Sequence, residues 1–314
     1  MLAILYRVAK NTPILLAANR EECLVRPTQF PKIQSGTPRI VCGIDKQAGG
    51  TWLGVNQFGL LVAVTNRARV RAPLEPRSRG LLCRDLLDVR NARQAAELAR
   101  KELSTGRYAG ANYLCADGKF AAVVYGGHRV EVVELEAGLH TLSSGNLNDT
   151  KDERHEFVHR MLTLHTLDSA VTFLAVASRA FSRKLDSDGR RGVVLTGVEH
   201  GTVSSTLLSL PRKIQQSIYQ YSDGPPSDRP YEDLSALLRQ VLSAGRTRKP
   251  TAALEKTDLE KTDSEKTDSE KTDSEKTDPE KKDPEKKDPE KKGSGKKSGA
   301  GVKSKSTKQA TGGD

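Results

Sequence analysis

The chain has 314 residues, 36% of them hydrophobic, and a formal net charge of +11 at pH 7. It has no run of about 18 apolar residues, which excludes a membrane-spanning helix by hydropathy. Its four cysteines (Cys23, Cys42, Cys83 and Cys115) form no CxxC pair and are too few for a disulfide framework, so we expect neither structural zinc nor disulfides.

The first part of the chain predicts β-hairpins followed by helices. Two apolar runs, residues 2–8 and 14–18, are joined by turn-forming residues and read as a hairpin. Residues 39–45 form a short strand candidate, and strands at 52–55 and 60–65 flank a turn. Residues 78–103 have helical apolar spacing, and Asn91 is suited to cap a second helix within them.

The second part predicts more strands, then helices, then a late strand pair and a last helix. Strands are expected at residues 111–117, 119–127 and 129–144, helices at 152–165 and 169–180, paired strands at 190–197 and 201–211, and a helix at 233–245. Because hairpin-sized turns join successive strands, the sheets should be largely antiparallel, with helices covering their outer faces in a layered α+β domain.

A composition change divides the chain into a folded domain at residues 1–245 and a tail at 246–314. The tail repeats five-residue units such as EKTDS and EKKDP and has almost nothing to bury, so we predict disorder. Residues 251–314 hold 16 lysines and 16 acidic residues, so the +11 excess lies before them. The arginines of residues 1–250 are scattered along the sequence, without aromatic residues interleaved among them. We therefore expect no nucleic-acid binding, and at most weak contact of the basic tail end with polyanions.

Polar residues follow three of the predicted strands. Asn19-Arg20-Glu21-Glu22 comes after the strand at 14–18, Asn66 ends the hairpin strand at 60–65, and Asn146 and Asn148 follow the strand at 129–144. An asparagine amide is a neutral donor suited to a carbonyl or an oxyanion. The candidate pocket residues are Asn19, Arg20, Glu21, Asn66 and Asn146.

The run Asn19-Arg20-Glu21-Glu22, followed by Arg26-Pro27, resembles the Asn-Arg-Asp-Glu run of the NRDE family, also called the Transport and Golgi organisation 2 family. The similarity continues in order over residues 1–212, through GGTWLGVNQFGLLVAVTN, SRGLL, YAGANYLCAD, LSSGNLND and GTVSSTLLSL. The resemblance implies a four-layer αββα sandwich of two largely antiparallel sheets, similar to N-terminal-nucleophile hydrolases.

In the cysteine branch of those enzymes, the cysteine after the initiator methionine becomes residue one. Its thiolate attacks an amide carbonyl, and its own α-amine acts as the base. The resemblance implies that the acid of the NRDE run holds this amine and that asparagines such as Asn66 and Asn146 bind the oxyanion. This sequence departs at three positions: Leu2 replaces the cysteine, Glu21 replaces the aspartate, and Val203 stands where arginine is frequent.

Three functions stay open at this point. The chain as written lacks the nucleophile, which favours a non-catalytic pocket protein that binds a small molecule. An amidohydrolase acting on a small C–N amide substrate is the alternative if the true start is an upstream Met-Cys. The family is also associated with haem and lipid handling, so a hydrophobic-ligand trafficking role is the third, although no CP dipeptide or axial histidine supports haem.

Other titratable residues carry no prediction of catalysis or metal binding. Cys23 lies near the motif but has no neighbouring base in sequence. His155 and His159 have ligand spacing on one helix face, but without a third ligand both are interpreted as surface residues. The N-terminal apolar run is interrupted by Arg7 and Lys10 and does not resemble a secretory signal, so we expect a cytoplasmic protein.

Overall fold

The structure is a computed structural model that describes residues 1–68, 70–187 and 191–246. Apart from Arg246, the predicted tail lies outside the described residues. The strands are β1 (Leu2–Tyr6), β2 (Ile14–Cys23), β3 (Thr28–Gln34), β4 (Ile40–Asp45), β5 (Leu53–Asn56), β6 (Leu61–Asn66), β7 (Ala111–Ala116), β8 (Ala121–Gly126), β9 (Val130–Glu134), β10 (Gly138–Leu142), β11 (His200–Leu210), β12 (Ile218–Ser222) and β13 (Glu232–Asp233). The α-helices are α1 (Arg79–Leu86), α2 (Ala92–Leu103), α3 (Glu153–Thr163), α4 (Ala170–Phe181) and α5 (Ser235–Ala244).

The strands form two antiparallel sheets. Sheet A has the order β10-β1-β2-β11-β12-β13, and sheet B has the order β3-β4-β5-β6-β7-β8-β9. Each neighbouring pair is antiparallel, because hairpins join most successive strands. The ladder between β2 and β11 runs from Ile14 to Cys23 and contains a bulge between Thr202 and Ser204.

Side-chain alternation in the strands produces three apolar layers. Leu16 of sheet A and Val123 of sheet B belong to the core between the sheets. Leu15 packs on the opposite face of sheet A among residues of α3 and α4, such as Phe173. The outer face of sheet B packs against α1 and α2. The resulting order is helices, sheet A, sheet B, helices, which confirms the predicted four-layer α+β sandwich.

The predicted helices and most strands agree with the structure, and Asn91 caps α2 by accepting a hydrogen bond from Gln94 N. The predicted pairing of strands at residues 190–197 and 201–211 was wrong, although the second strand is present as β11. Of that first segment, residues 191–197 contribute only an isolated bridge between Val194 and Lys184, and β11 pairs with β2 and β12 instead. Strands β3, β12 and β13 were not predicted, and in β3 the strand pattern is hidden by Pro31 and polar residues. Among the described residues, no helix has both the length and the apolarity needed to cross a bilayer.

Asn56 holds the turn between β5 and β6 against the start of α2. Its buried Nδ2 donates to the carbonyls of Leu87 and Val89 at 2.9 and 2.8 Å. Its Oδ1 accepts from the backbone N–H groups of Phe58 and Leu60 at 3.0 and 3.1 Å. Both donor and both acceptor positions of the side-chain amide are occupied by hydrogen bonds. Removing the amide therefore leaves buried backbone groups without partners.

We therefore expect Asn56→Ala to lower the free energy of unfolding by about 3 kcal/mol, measured by equilibrium denaturation. Asn91→Ala removes one exposed helix cap and should cost about 1 kcal/mol. Equal losses in the two variants would contradict the role assigned to Asn56.

Candidate functional site

The polar run that follows the first hairpin lies inside a strand and not beyond its end. β2 continues to Cys23, so consecutive residues of the run face opposite sides of sheet A. Arg20 faces sheet B and stacks on Trp52, whereas the Asn19 side chain donates to the Phe181 carbonyl of α4 at 2.9 Å. The run therefore contacts both α4 and sheet B. The predicted strand ended at residue 18, so this alternation of side chains was not expected.

A cavity of about 570 Å³ opens where β1, β2, β5, β6 and the start of α1 meet, and we call it the inter-sheet cavity. Of the five candidate residues, Asn19, Arg20, Glu21 and Asn66 line this cavity. The other lining residues are Met1, Leu2, Ala18, Glu22, Arg26, Asp45, Gln47, Thr51, Trp52, Leu53, Ala63, Val64, Thr65, Pro76, Arg77, Ser78, Arg79, Gly80, Ala109, Ser143, Ser144 and Thr206. Residues distant in sequence thus meet at one concave surface.

The Arg20 side chain is only 9% exposed, and its guanidinium lies 4.2 Å from the centre of the Trp52 ring. Such cation–π stacking contributes about 1 kcal/mol or more when the pair is desolvated. The Arg20 guanidinium comes no closer than 3.9 Å to the Glu22 carboxylate. Burial lowers the pKa of Arg20, and the nearby Glu22 opposes that shift.

Glu21 projects toward the opposite side of sheet A and holds the first residue of the chain. Its Oε1 lies 3.2 Å from the Met1 nitrogen, which also donates to the Asn19 carbonyl at 3.0 Å. Arg154 of α3 approaches the same Oε1 at 3.6 Å. Arg154 also contacts the Asp152 carboxylate at 3.2 Å, so α3 supports the carboxylate that holds the Met1 nitrogen.

His155 is buried, with 3% exposure, so its interpretation as a surface residue was wrong. Its Nε2 lies 2.8 Å from Ser143 Oγ and its Nδ1 lies 3.0 Å from Thr141 Oγ1. Ser143 donates its hydroxyl proton to Asp152 at 2.8 Å, so the short contact with His155 requires Nε2–H as the donor. Ser143 lines the cavity, but its hydroxyl is not aligned to give its proton to His155.

Asn146 does not line the cavity. It is exposed, and its Oδ1 accepts from Arg67 Nη2 at 2.8 Å. Arg67 also donates to Asn112 Oδ1 at 3.0 Å, and Asn112 Nδ2 donates to the carbonyls of Ser143 and Gly145, both at 3.1 Å. These bonds tie the segment after β10 to sheet B. No local sequence signal identified Arg67 or Asn112, because their partners lie far along the chain.

The four cysteines lie away from the cavity lining. Burial raises the pKa of Cys42 to about 11 and also raises the pKa values of Cys83 and Cys115. Thiols of this kind are poor nucleophiles at neutral pH. Cys23 lies partly exposed at the end of β2. The described residues contain no group of three or more His, Cys, Asp or Glu side chains arranged to bind a metal.

Comparison with known proteins identifies the family. The family model described as Transport and Golgi organisation 2 matches residues 1–179. The chain belongs to this family. Its Transport and Golgi organisation 2 relatives include a mouse homolog, 33% identical over 150 residues, and a human homolog, 31% identical over 149 residues. Each alignment covers 45% of this chain and 54% of the relative, so the chain spans about half the length of the curated relatives it matches.

Two solved structures share a distant similarity with this Transport and Golgi organisation 2 family member. A Caenorhabditis elegans ortholog of N-acylethanolamine-hydrolyzing acid amidase is 16% identical, with a TM-score of 0.49, covering 69% of this chain and 98% of that one. A mutant of the conjugated bile acid hydrolase from Clostridium perfringens is 11% identical, with a TM-score of 0.42, covering 75% and 93%. At these values the similarity says nothing about what this chain binds.

The cavity lining does not fit haem. Of the described histidines and cysteines, none lines it, and Met1 is the one lining residue with a side chain that could ligate haem iron. The Met1 side chain belongs to the apolar layer beneath α3 and α4. The lining therefore offers no axial ligand directed at the cavity.

His155 should make stability depend on pH. Burial lowers its pKa below the ordinary 6.5; the facing Asp152 and Asp149 oppose the shift, and Arg154 and the Met1 ammonium support it. As pH falls below 6.5, the unfolded chain therefore binds a proton that the folded chain takes up less readily, and stability is lost.

We expect the free energy of unfolding to fall less steeply between about pH 7.5 and about pH 5.5 in His155→Gln than in the native chain, measured by denaturation at each pH. His159→Gln is the matched control, because His159 is exposed on the same helix. An unchanged slope in His155→Gln would contradict the burial argument.

Proposed function

We propose that this chain is a non-catalytic pocket protein of the Transport and Golgi organisation 2 family that binds a small molecule in the inter-sheet cavity. The observation that carries the proposal is convergence: Met1, the polar run of β2, Asn66 and Ser143 all line one cavity. A volume of about 570 Å³ lies within the range of about 300–1,000 Å³ that small-molecule sites occupy. The expected cytoplasmic location belongs to this proposal and rests on four free cysteines.

The cavity lining combines an apolar wall with separate donors and acceptors. Trp52, Leu2 and Leu53 provide apolar surface, while Arg20 and Asn66 provide donors. A ligand with a short apolar chain and a carbonyl suits this combination, since the chain would pack on the wall while the carbonyl accepts a hydrogen bond. An acyl amide is the simplest such molecule.

The groups that could attack an amide are not placed to do so. The Leu2 side chain, 2% exposed, faces the space between the sheets and has no nucleophilic atom. The Ser143 hydroxyl proton is donated to Asp152, and the cysteines lie outside the lining. The chain as written therefore supports binding without cleavage.

Trp52 is the chain's single tryptophan and lines the cavity, so its fluorescence reports occupancy. We expect saturable changes in Trp52 emission when the full chain is titrated with short N-acyl amides, N-hexanoylglycine and its neutral amide N-hexanoylglycinamide, with no release of hexanoate. Trp52→Phe is the control, because any signal that survives it comes from elsewhere. No saturable response to either compound, or steady hexanoate release, would overturn the proposal.

A second candidate, an amidohydrolase, is favoured by the position of the Met1 nitrogen. This nitrogen belongs to a residue that lines the cavity and lies 3.2 Å from Glu21, which is the environment expected for the amine base of an N-terminal nucleophile. The reaction needs a cysteine that the chain as written does not place there, so this candidate requires an upstream Met-Cys start.

Mass spectrometry of the protein purified from its native source decides between the two candidates. An N-terminal cysteine ahead of Leu2, with hexanoate release from N-hexanoylglycinamide, is the expected result for the amidohydrolase. An intact Met1-Leu2 terminus would rule that candidate out and leave the binding function in place.

A further inference from the structure

We infer that the inter-sheet cavity contains an oxyanion subsite, formed by the Arg20 guanidinium, Arg79 and the amino end of α1, which selects ligands carrying a carboxylate or a phosphate. This inference rests on the proposed binding function and names the ligand class. It draws on three features of the cavity: the unbonded donors of one arginine, the balance of charge, and a helix end without a cap.

The Arg20 side chain is buried, but its guanidinium makes no hydrogen bond to any described residue. Its side chain is more than nine-tenths buried and lines the cavity, with one face covered by Trp52. A guanidinium carries five N–H donors, and no Arg20 nitrogen is among the fully enclosed side-chain atoms that lack a partner, so these donors remain accessible from the cavity. The stacked ring fixes the guanidinium plane, so its edge is available to a planar anion, the partner that arginine binds with two parallel hydrogen bonds.

The other arginines of the lining already have partners. Arg26 donates to both carboxylate oxygens of Asp45, at 3.1 and 2.7 Å, and this contact raises its pKa. Arg77 donates to Asp85 at 2.8 Å. Arg79 donates only to the neutral Gly110 carbonyl at 3.1 Å. Arg20 and Arg79 are thus the lining arginines without a carboxylate in hydrogen-bonding distance.

The charge of the lining is positive. The described residues that line the cavity carry five cationic groups, the Met1 nitrogen and four guanidiniums, and three carboxylates. In a partly enclosed cavity this imbalance is weakly screened and favours an anionic ligand over its neutral counterpart.

The amino end of α1 adds backbone donors to the same cavity. Ser78, Arg79 and Gly80 line it, Ser78 forms no side-chain cap, and the first turn holds no acidic residue. The first intrahelical bond is from Leu82 N to Ser78 O, at 3.4 Å, so the preceding N–H groups have no partner in the helix. Together with the helix dipole, these N–H groups favour an anion.

Two glycines allow this helix end to reach the cavity. A Cβ on Gly50 would lie 2.1 Å from the Gly80 carbonyl carbon, so only glycine permits the close packing of the loop before β5 on the first turn of α1. Thr51 N donates to Gly80 O at 2.9 Å and fixes the contact. The same loop leads into Trp52, whose ring stacks on Arg20 and which lines the same cavity as the helix end.

The test compares an anion with its neutral counterpart in the full chain, by Trp52 fluorescence and by calorimetry. N-Hexanoylglycine should bind at least about tenfold more tightly than N-hexanoylglycinamide, and its affinity should fall as salt is raised. Hexyl phosphate distinguishes the two anion types: preference for it over N-hexanoylglycine assigns the subsite to phosphate, and the reverse order assigns it to carboxylate.

Variants assign the preference to the subsite. Arg20→Gln should reduce the difference between anion and neutral ligand to less than about threefold, and Arg79→Gln should reduce it partly. Arg100→Gln, an equal charge change on the exposed face of α2, should keep it. Arg20→Lys keeps the charge and guards against misfolding of Arg20→Gln, because it should retain part of the preference; thermal unfolding followed by circular dichroism verifies the fold of each variant.

The outcomes separate the subsite from the proposed function. If the anion and neutral ligands bind equally, binding stands and the subsite is wrong. If the anion preference survives both Arg20→Gln and Arg79→Gln, the preference arises elsewhere and the subsite is again wrong. If neither ligand binds, the proposed function itself fails.

Discussion

The register of β2 against β11 is the constraint on which the site depends. In this ladder Arg20 lies opposite Ser204 and Glu21 lies opposite Thr202, with the bulge between these two partners. Side chains alternate along a strand, so a shift of one residue would exchange the two faces of sheet A. Arg20 would then enter the apolar layer under α3 and α4, and Glu21 would lose the Met1 nitrogen. This exchange of Arg20 opposes the shift, because a guanidinium would be buried among apolar side chains.

The two faces of β2 are connected through Ser143, Asp152 and Arg154, which lie outside the β1–β2 and β5–β6 hairpins. Ser143 lines the cavity, yet it donates to Asp152 at the start of α3, and Asp152 contacts Arg154, which approaches Glu21. The pKa of Asp152 falls below its ordinary value: burial acts to raise it, but the hydrogen bonds from Arg154 and Ser143 outweigh burial. Asp152 is thus an anion at neutral pH and anchors both the serine and the arginine. Substitutions in α3 should therefore alter the cavity without touching its ligand.

Local patterns predicted the fold well and the site only in part. Apolar runs separated by turn residues predicted both early hairpins, and Asn91 predicted the boundary between α1 and α2, because these signals involve neighbours in sequence. The burial of His155 could not be read in this way. His155 and His159 are one turn apart, but only His155 reaches the buried edge of α3, where its partners come from β10 and the segment that follows it. Polar residues after predicted strands pointed to Glu21 and Asn66, which line the cavity, and to Asn146, which does not; no pattern in the sequence pointed to Arg67, Asn112 or Arg154.

The departures at positions 2 and 21 affect different parts of the site. Met1 pairs with Asn19 through the hydrogen bonds that close the end of the β1–β2 ladder, and Glu21 lies two residues further along the same face. Diagonal neighbours of this kind are about 7–8 Å apart, so a carboxylate must reach back to contact the Met1 nitrogen. The Glu21 carboxylate reaches this nitrogen at 3.2 Å and leaves the same oxygen 3.6 Å from Arg154. Glutamate at position 21 therefore supports the terminal amine, whereas neither Met1 nor Leu2 supplies the thiol that such an amine would serve.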